Sequence, residues 1–371
     1  MSSRHVIKKV WARFFEYLLQ FDQPISWVIF LVVTIDLAYL LKSPESVENY
    51  LDEYLQNNPK QCEEVENIIL HHNELSVMPG NIHRFTNIRI LDISNNGLTI
   101  LPDIFQYCQL SNLILKNNRL RNDTLPKEFT ECSSLKELNL SGNDIKYFPD
   151  QILNFPNLKF LYLGGNNMEN ISNSIWRLKH LQVLSLGGNN ISDVPLSVGQ
   201  LKNLQALVLC DNNIELLPAN IANLHNLRSL LLHKNKLKTL PPEIIALRNL
   251  SELSLRENPL IVRFVSDIQH QPASLLELSG RALKLYNIEV QPGDIPTTLL
   301  GYLNSAHRCV NSNCKGVFFD NRIEHVKFVD FCGKYRIPLL QYLCSSKCAT
   351  IPADDVIRPH RTYLMKKVLL G

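Results

Sequence analysis

A strong charge imbalance is missing from this sequence. Only 20% of its 371 residues are charged, and the formal net charge is +3 at pH 7. Nucleic-acid-binding domains concentrate Lys and Arg on one face, so this composition argues against nucleic acid as a partner. The hydrophobic fraction of 45% is large enough for a continuous core. The mildly basic segment 351–371 at the carboxyl end is expected to be a solvated tail.

Catalytic patterns are also missing. The sequence has no nucleophile paired with a base, no phosphate-binding loop and no metal site with an open coordination position. These are the arrangements that let a side chain or a bound ion take part in a reaction. We therefore expect a protein that binds other macromolecules and is not an enzyme.

The cysteines lack the arrangement of an exported repeat protein. There are nine, an odd number, and none lies near the end of the last repeat at Asn258–Phe264. Exported modules usually carry paired cysteines that form disulfides. We therefore expect a reducing compartment, the cytoplasm, where clustered cysteines more often bind a metal ion.

The sequence does contain an internal repeat. The pattern L-x-x-L-x-L-x-x-N-x-L-x-x-L-P recurs nine times, and most copies start at evenly spaced positions such as Leu158, Leu181 and Leu204. A period of roughly 20–29 residues is typical of leucine-rich repeats. The sequence therefore predicts an α/β fold, a leucine-rich-repeat solenoid (horseshoe) of about nine repeats over residues 61–265. Each copy carries one asparagine at the same place: Asn73, Asn96, Asn118, Asn143, Asn166, Asn189, Asn212, Asn235 and Asn258.

The physical chemistry of one copy explains the pattern. The L-x-L segment predicts a short strand whose leucines point into the solenoid, and the asparagine amide can satisfy backbone groups in the turn that follows. Leu-Pro pairs such as Leu217-Pro218 begin the convex side because proline ends a strand. One copy cannot bury its apolar face alone, so neighbours must stack. The extra residues Arg121–Thr124 of the third repeat are expected to bulge from the convex side.

Strand residues between the inward leucines predict the concave surface, because alternate side chains of a strand face opposite ways. Repeats five to eight expose an apolar, partly aromatic set there, beside Gly164 and Gly187. We expect this surface to bind a protein target, although the same residues also suit a tolerated apolar surface. We interpret His233 as a hydrogen-bonding surface residue. The candidate contact residues are Phe160, Tyr162, Val183, Val208, Leu231, His233 and Arg256.

Two helices are predicted in residues 266–306, after the last repeat. The simplest interpretation is a cap that closes the open end of the solenoid. The segment also resembles the elongin-binding and cullin-contacting boxes of ubiquitin-ligase receptors, with Leu275 as the anchor of a helix that docks in a groove. It departs from them in having Ser279 where cysteine is usual. The matching positions are Ser274, Leu275, Ser279, Leu283, Pro296, Leu299 and Tyr302.

Cysteines cluster in residues 307–350. Cys309 and Cys314 form one close pair, Cys344 and Cys348 form another, and a long loop separates the two pairs. Two close pairs joined by a loop predict a structural zinc site with four thiolate ligands. Unligated thiols and disulfides stay open as alternatives. Because all four positions around the ion are filled by protein, this site implies no catalysis.

Residues 1–60 precede the repeats and contain an apolar stretch, residues 25–41, predicted to be helical. The stretch is only just long enough to cross a bilayer, and Asp36 opposes insertion. The surrounding charges would place the repeats outside the cytosol, which conflicts with reduced cysteines. The alternative is an amphipathic cap helix near Trp11, followed by a second helix packed on the first repeat. A single-pass membrane protein thus stays an alternative to a cytoplasmic one.

Several stretches from about Val65 onward match a known family, namely Leu207–Asn212, Asn258–Val265, Lys327–Arg336, Gln341–Cys344 and Lys367–Gly371. Through them the chain resembles the leucine-rich repeat-containing protein 58 family. The resemblance implies an intracellular repeat protein. Residues 1–60 depart from the family pattern.

Two hypotheses of function arise from these patterns. The first is a substrate receptor of a ubiquitin ligase, which binds a target on the concave face and elongin B/C and a cullin through residues 274–303. The second is a scaffold outside any ligase, soluble or tethered by the apolar helix, in which the same residues are only a cap. Loss of elongin binding on replacing Leu275 with a charged residue would distinguish them.

Overall fold

The computed structural model describes residues 33–40, 43–57, 63–261, 273–291, 293–311, 313–331, 335–350 and 367–369. The chain divides into two compact units, 1–33 and 34–371. All of the first unit except Val33 lies outside the described residues. The repeat array and the carboxyl-terminal region both belong to the second unit.

Short parallel strands form one continuous sheet along the repeat array. Neighbouring strands pair in register, so the central residues Leu161, Leu184 and Leu207 stack and are fully buried. Burying one such leucine contributes about 1.5–3 kcal/mol. This sheet confirms the predicted solenoid. In spatial order the strands are β1 (Val33–Asp36), β2 (Val65–Ile69), β3 (Ile90–Asp92), β4 (Asn112–Ile114), β5 (Glu137–Asn139), β6 (Phe160–Tyr162), β7 (Val183–Ser185), β8 (Ala206–Val208), β9 (Ser229–Leu231), β10 (Glu252–Ser254) and β15 (Lys367–Leu369).

The repeat asparagines form a buried ladder. The Asn189 amide donates to the carbonyls of Leu163 at 3.1 Å and Leu186 at 2.9 Å, and its oxygen accepts from the Met168 amide at 3.0 Å. One side chain therefore satisfies backbone groups of two adjacent coils. The residue before each ladder asparagine has a positive φ, which turns the chain sharply out of the strand. These residues are His72, Asn95, Asn117, Gly142, Gly165, Gly188, Asp211, Lys234 and Glu257.

The convex side consists of 3₁₀ turns. Five of them follow a proline that ends the preceding extended segment, as at Pro218 and Pro241. In the third repeat the extra residues form the turn Asn122–Thr124, and Asn122 accepts from the Lys146 amide at 2.8 Å. The insertion is therefore tied to the next coil. The turns are Gly80–Arg84, Ile104–Gln106, Asn122–Thr124, Asp150–Asn154, Ile175–Arg177, Leu196–Gln200, Ala219–Asn223 and Pro242–Ala246.

The amino-terminal segment differs from the predicted helix over residues 25–41. The described part of this segment contains strand β1, in which Ile35 is buried against the array. Leu37, just after the strand, is buried there too. Leu37 donates from its amide to Ile69 at 2.9 Å, and its carbonyl accepts from Asn73. These residues thus act as an extra, degenerate coil, because the Ile-x-Leu alternation buries two side chains as a repeat strand does. Residues 25–32 and Trp11 lie outside the described residues.

Helix α1 (Pro44–Asn57) covers the first coil. It buries Val47, Leu51 and Leu55 along one side, and Glu48 accepts from the Gly80 amide at 2.6 Å. This is the second helix that the sequence analysis expected on the first repeat. None of the helices formed by the described residues combines the length and apolar character that a bilayer crossing requires.

The carboxyl-terminal region holds two helices and two antiparallel strand pairs. Its elements are α2 (Leu275–Leu285), α3 (Thr297–Asn304), β11 (His307–Arg308), β12 (Val317–Phe318), β13 (Ile323–Phe331) and β14 (Tyr335–Leu343). Strand β11 pairs with β12, and β13 pairs with β14. A helical turn, Lys347–Thr350, follows the second pair. The two predicted helices of residues 266–306 are therefore present.

The chain end departs from the expected solvated tail. Strand β15 pairs in parallel with β10, with Glu252 opposite Lys367 and Ser254 opposite Leu369. Without this pairing, β10 would be the last strand of an open sheet and would present unpaired main-chain groups, which β15 satisfies. The final strand therefore extends the sheet at its open end.

Candidate functional site

The concave face gathers the predicted apolar residues. Phe160 lies opposite Val183, and Val208 lies opposite Leu231, each pair one strand apart. These side chains and Tyr162 are partly exposed, whereas the leucines between them are buried. The structure therefore brings five predicted contact residues onto one surface, as the period-2 alternation indicated.

A third column on this face runs through Gly187, Cys210, His233 and Arg256. A Cβ at Gly187 would lie 2.7 Å from the Cys210 sulfur, so a larger residue there would force the Cys210 side chain to shift. Burial raises the pKa of the Cys210 thiol, and Arg256 is exposed. His233 Nδ1 is buried and has no hydrogen-bond partner among the described residues.

Helix α2 presents an apolar side to solvent. Ser274 caps it by accepting from the Glu277 amide at 3.1 Å, and Leu275, the first helical residue, is 84% exposed. Ser279 is exposed too, and its hydroxyl donates to the carbonyl of Leu276 at 3.3 Å. The large exposed apolar side chains of this helix and the residues after it are Leu275, Leu276, Leu278, Leu285, Tyr286 and Ile288. The predicted box residue Leu283 is half-buried.

Helix α3 follows Pro296 and turns partly inward. Leu303 is buried, and Leu299 is half-buried. The Tyr302 ring stacks on Phe319 with centroids 4.6 Å apart. Burial raises the pKa of Tyr302 to about 12, with the Glu277 carboxylate as the next cause. Tyr302, which was predicted as part of a cullin-contacting box, contacts the cysteine region of its own chain through its ring.

The four predicted cysteines meet at one point, which we call the cysteine cluster. Their sulfur atoms all lie within 4.8 Å of one another. The Cys344 sulfur is 3.5 Å from that of Cys314 and 3.7 Å from that of Cys348, and all four thiols are free. Zinc–sulfur bonds of about 2.3 Å give tetrahedral sulfur separations of about 3.8 Å, whereas a disulfide needs about 2.05 Å. This cluster can hold one metal ion in a closed site.

Tight turns position these thiols. The Cys309 amide donates to the Gly316 carbonyl at 2.9 Å, and the Gly316 amide donates to the Cys314 sulfur at 3.3 Å. A Cβ at Gly316 would lie 2.7 Å from the Cys344 sulfur and 3.1 Å from that of Cys314, so a larger residue there would displace the sulfurs of the cluster. The side-chain amide of the buried Asn311 donates to the Cys348 carbonyl at 2.9 Å, and this bond joins the two turns. Sequence reasoning missed Gly316 and Asn311, although Gly316 lies just after a predicted ligand.

The thiols differ in their tendency to ionise. Burial is the main cause that raises the pKa of Cys314. It also raises the pKa of Cys344, and there the shift is larger. Burial opposes ionisation of Cys348 as well, but hydrogen bonds from Ser345 and the neighbouring thiols outweigh it and lower its pKa. Without an ion the cluster therefore keeps protons that a metal would have to displace.

The hairpin β13–β14 attaches the cysteine region to the repeats. The Leu240 amide donates to the Pro338 carbonyl at 3.0 Å, and the Leu340 amide donates to the Leu240 carbonyl at 2.9 Å. Leu339 is buried at this junction. Leu240 precedes the Pro241 that begins a convex turn, so the hairpin joins the array on that side and not on the strand face.

Comparison with known proteins gives the class of repeat. Patterns described as Leucine rich repeat match residues 108–168, 133–191 and 179–237, and another described as Leucine Rich Repeat matches 87–108. A leucine-rich-repeat protein of Leptospira interrogans has a similar structure, with 34% identity and a TM-score of 0.50 over 54% of this chain and 51% of that one. Such repeats generally serve as protein-binding scaffolds.

Relatives that match most of the chain are more informative. Leucine-rich repeat-containing protein 58 of Xenopus laevis is 58% identical over 335 residues, which cover 88% of this chain and 95% of that protein. The protein of the same name from Homo sapiens is 61% identical over 309 residues, covering 82% of this chain and 83% of that protein. Identity of this extent shows that the chain belongs to the leucine-rich repeat-containing protein 58 family.

Proposed function

We propose that this chain is the substrate-recognition subunit of an elongin/cullin-type ubiquitin ligase. The observation that carries the proposal is Leu275, which is 84% exposed at the start of a helix whose opposite side is anchored in the protein. An apolar side chain so placed matches the anchor of a helix that docks in a partner's groove. The partners would carry out ubiquitin transfer, and this chain would contribute proximity alone.

The docking surface is larger than one residue. Leu278 and Leu285 are also about half exposed, and Leu278 lies one helical turn from Leu275. Fully burying an exposed leucine contributes about 1.5–3 kcal/mol, and covering a half-exposed one about half of that, so these leucines together suit a specific contact. Elongin B/C is the proposed occupant of this surface, and a cullin would lie nearest to Pro296 and Leu299 at the start of α3.

The concave face is the proposed site for the target. Phe160, Tyr162, Val183, Val208 and Leu231 offer an apolar surface with one polar tip on a stiff sheet. Aromatic and aliphatic side chains of this kind dominate the energy of many protein interfaces. His233 and Arg256 adjoin the surface and would contribute hydrogen bonds at its rim.

We further propose that the cysteine cluster binds one structural Zn²⁺. The sulfur separations of 3.5 and 3.7 Å support this identity because zinc favours four thiolates in a tetrahedron. Thiols stay reduced in the cytosol, so the proposal places the chain there.

One experiment tests the ligase proposal. Purified full-length protein is mixed with elongin B/C, and retention is compared for wild type, Leu275→Glu and Leu196→Glu. Leu196 is similarly exposed but lies on a convex turn, which makes it a matched control. We expect retention by wild type and by the control, and loss in Leu275→Glu with an unchanged melting temperature. A wild-type chain that never retains elongin B/C would refute the proposal.

One observation favours the alternative, a scaffold outside any ligase. Tyr302 packs on Phe319, as a residue of a cap would. Under this alternative the concave face still binds a protein, and substitution of Leu275 leaves every interaction unchanged. The membrane-tethered form of the alternative was predicted through residues 25–41, and release of the full chain by alkaline carbonate would exclude it.

A further inference from the structure

The inner side of α2 lies against the cysteine region. Gly280 faces the Phe319 ring so closely that a Cβ there would lie 3.0 Å from it. Leu303 of α3 and the stacked Tyr302 complete this contact. The side of α2 that carries Leu275 is therefore directed outward by what its other side contacts.

A buried carboxylate fixes the position of the helix. Glu277 is 1% exposed, and its oxygens accept from the amides of Phe319 at 3.0 Å, Asp320 at 3.1 Å and Asn321 at 2.8 Å. Three successive amides that converge on one carboxylate form a specific cradle. The Arg281 Nε adds a fourth bond at 2.9 Å.

The arginine continues this network to the cysteine cluster. Arg281 Nη1 donates to the backbone carbonyl of Cys344 at 2.8 Å, and Nη2 donates to the carbonyl of Asn321. One guanidinium thus contacts the helix, the cradle and a residue whose side chain is a proposed zinc ligand.

The turns that carry the cysteines are held by a few hydrogen bonds and a small apolar core, apart from the hairpin that leads into Cys344. Strands β11 and β12 are very short, and the small apolar core here is built on Cys309, Leu343 and Cys348. Metal binding often supplies the folding free energy of such a region. The Cys344 carbonyl belongs to a residue whose sulfur is part of this cluster.

We propose that Glu277 and Arg281 are positioning residues that make the orientation of α2, and so the presentation of Leu275, depend on the metal ion held by the cysteine cluster. The partner's identity rests on the proposed function above, whereas the dependence of α2 on metal is a property of this chain alone. Loss of the ion displaces the Cys344 carbonyl and opens the cradle. A buried ion pair without these partners is unfavourable, so the helix detaches and docking is lost, although no cysteine touches the partner.

Hydrogen exchange of the full chain tests this inference without any variant. The zinc-loaded protein and the same protein after chelation are compared by mass spectrometry. We expect chelation to speed amide exchange in residues 275–285 by about tenfold or more, since helix opening exposes those amides. Residues 161–208 of the array, which lie away from the helix and the cluster, are the internal control and keep their protection.

Two variants link the effect to the named residues. Arg281→Gln removes the bond to Cys344, and we expect fast exchange in residues 275–285 even with zinc bound. Arg177→Gln is its matched control, because Arg177 lies on a convex turn far along the chain. Elongin B/C retention is measured on the same samples and should fall with chelation and with Arg281→Gln.

The outcomes separate the two proposals. If zinc binds and its removal leaves exchange in 275–285 unchanged, the positioning role is wrong. A chain that binds no zinc also overturns it. If exchange rises after chelation but the zinc-loaded wild type does not retain elongin B/C, the ligase proposal fails while the positioning role stands.

Discussion

Leu240 of the eighth repeat and Leu339 of the hairpin form a parallel backbone bridge, and both side chains are buried. This bridge fastens the carboxyl-terminal region to the solenoid. Two surfaces of the protein, the strand face and helix α2, are thereby carried by one connected framework. Under the ligase proposal, such a connection would keep a bound target within reach of a bound partner.

We expect loss of the side-chain packing at this bridge to lower the free energy of unfolding. Leu339→Ala should destabilise the protein by about 2–5 kcal/mol, because it leaves a cavity at the junction. Leu196→Ala, at an exposed convex position, should change stability by less than about 0.5 kcal/mol. Urea unfolding measures both values. Equal effects for the two variants would show that the junction contributes nothing.

From the asparagine ladder we expect that substitutions at two neighbouring residues differ sharply in their effect on stability. Asn189→Ala leaves the Met168 backbone amide without its partner, which costs about 1–3 kcal/mol, and removes one of the two asparagine bonds that each of the Leu163 and Leu186 carbonyls accepts. Asn190→Ala, next in the chain but exposed, should cost less than about 0.5 kcal/mol. Thermal unfolding compares the two. A ladder variant as stable as its neighbour would contradict the role assigned to the ladder.

The zinc proposal predicts one ion per chain. Elemental analysis of protein purified in reducing buffer should give a stoichiometry near one, and Cys344→Ser should lower it towards zero. Cys210→Ser, on the concave face, should keep the ion. Because raised pKa values leave protons on Cys314 and Cys344, zinc affinity should fall as pH is lowered, as zinc competes with those protons. Zinc-free wild type would contradict this site.

Glu277 predicts a specific pH dependence of stability. Burial alone would raise its pKa, but the bonds from the Phe319 and Asn321 amides and from Arg281 outweigh burial and lower it. A carboxyl whose folded pKa is lowered stabilises the fold above its unfolded pKa of about 4.3 and loses that contribution as pH falls through the lower folded value. Urea unfolding from about pH 7 to about pH 3 should therefore show less acid destabilisation in Glu277→Gln than in wild type. Parallel curves would contradict the assignment.

Much of the array could be predicted from the sequence. Aliphatic periodicity and one asparagine per copy are local patterns, and the coil geometry they imply has few alternatives. The strand β1 escaped prediction because Leu40 stands where a ladder asparagine would be, and the apolar run around it favoured a helix. Its Ile35–Leu37 alternation was the available signal.

The carboxyl-terminal site was predictable only in part. The cysteine spacing indicated the cluster, since close ligand pairs are local features. In the sequence, Glu277 and Arg281 have only the i, i+4 spacing that is common on helix surfaces, and nothing there shows that residues 319–321 cover them. Strand β15 depends likewise on a partner strand that is distant in the sequence, which no local pattern reveals.

We expect the concave face to bind a protein target independently of helix α2. Proteins captured by wild type through this face should be lost with Val208→Glu and retained with Leu216→Glu, an exposed residue just before the Leu217-Pro218 pair. Under the ligase proposal, those same proteins should accumulate in cells when Leu275→Glu replaces the wild type, because their degradation would require the ligase. Capture that survives Val208→Glu would place the target elsewhere.

Calorimetric titration of elongin B/C into the purified, zinc-loaded chain tests the central claim most directly. The account predicts a saturable heat for wild type, an affinity unchanged by Val208→Glu, and a loss of about 2 kcal/mol or more, roughly thirtyfold, for Leu275→Glu. Absence of binding by wild type, or equal affinities for wild type and Leu275→Glu, would contradict it.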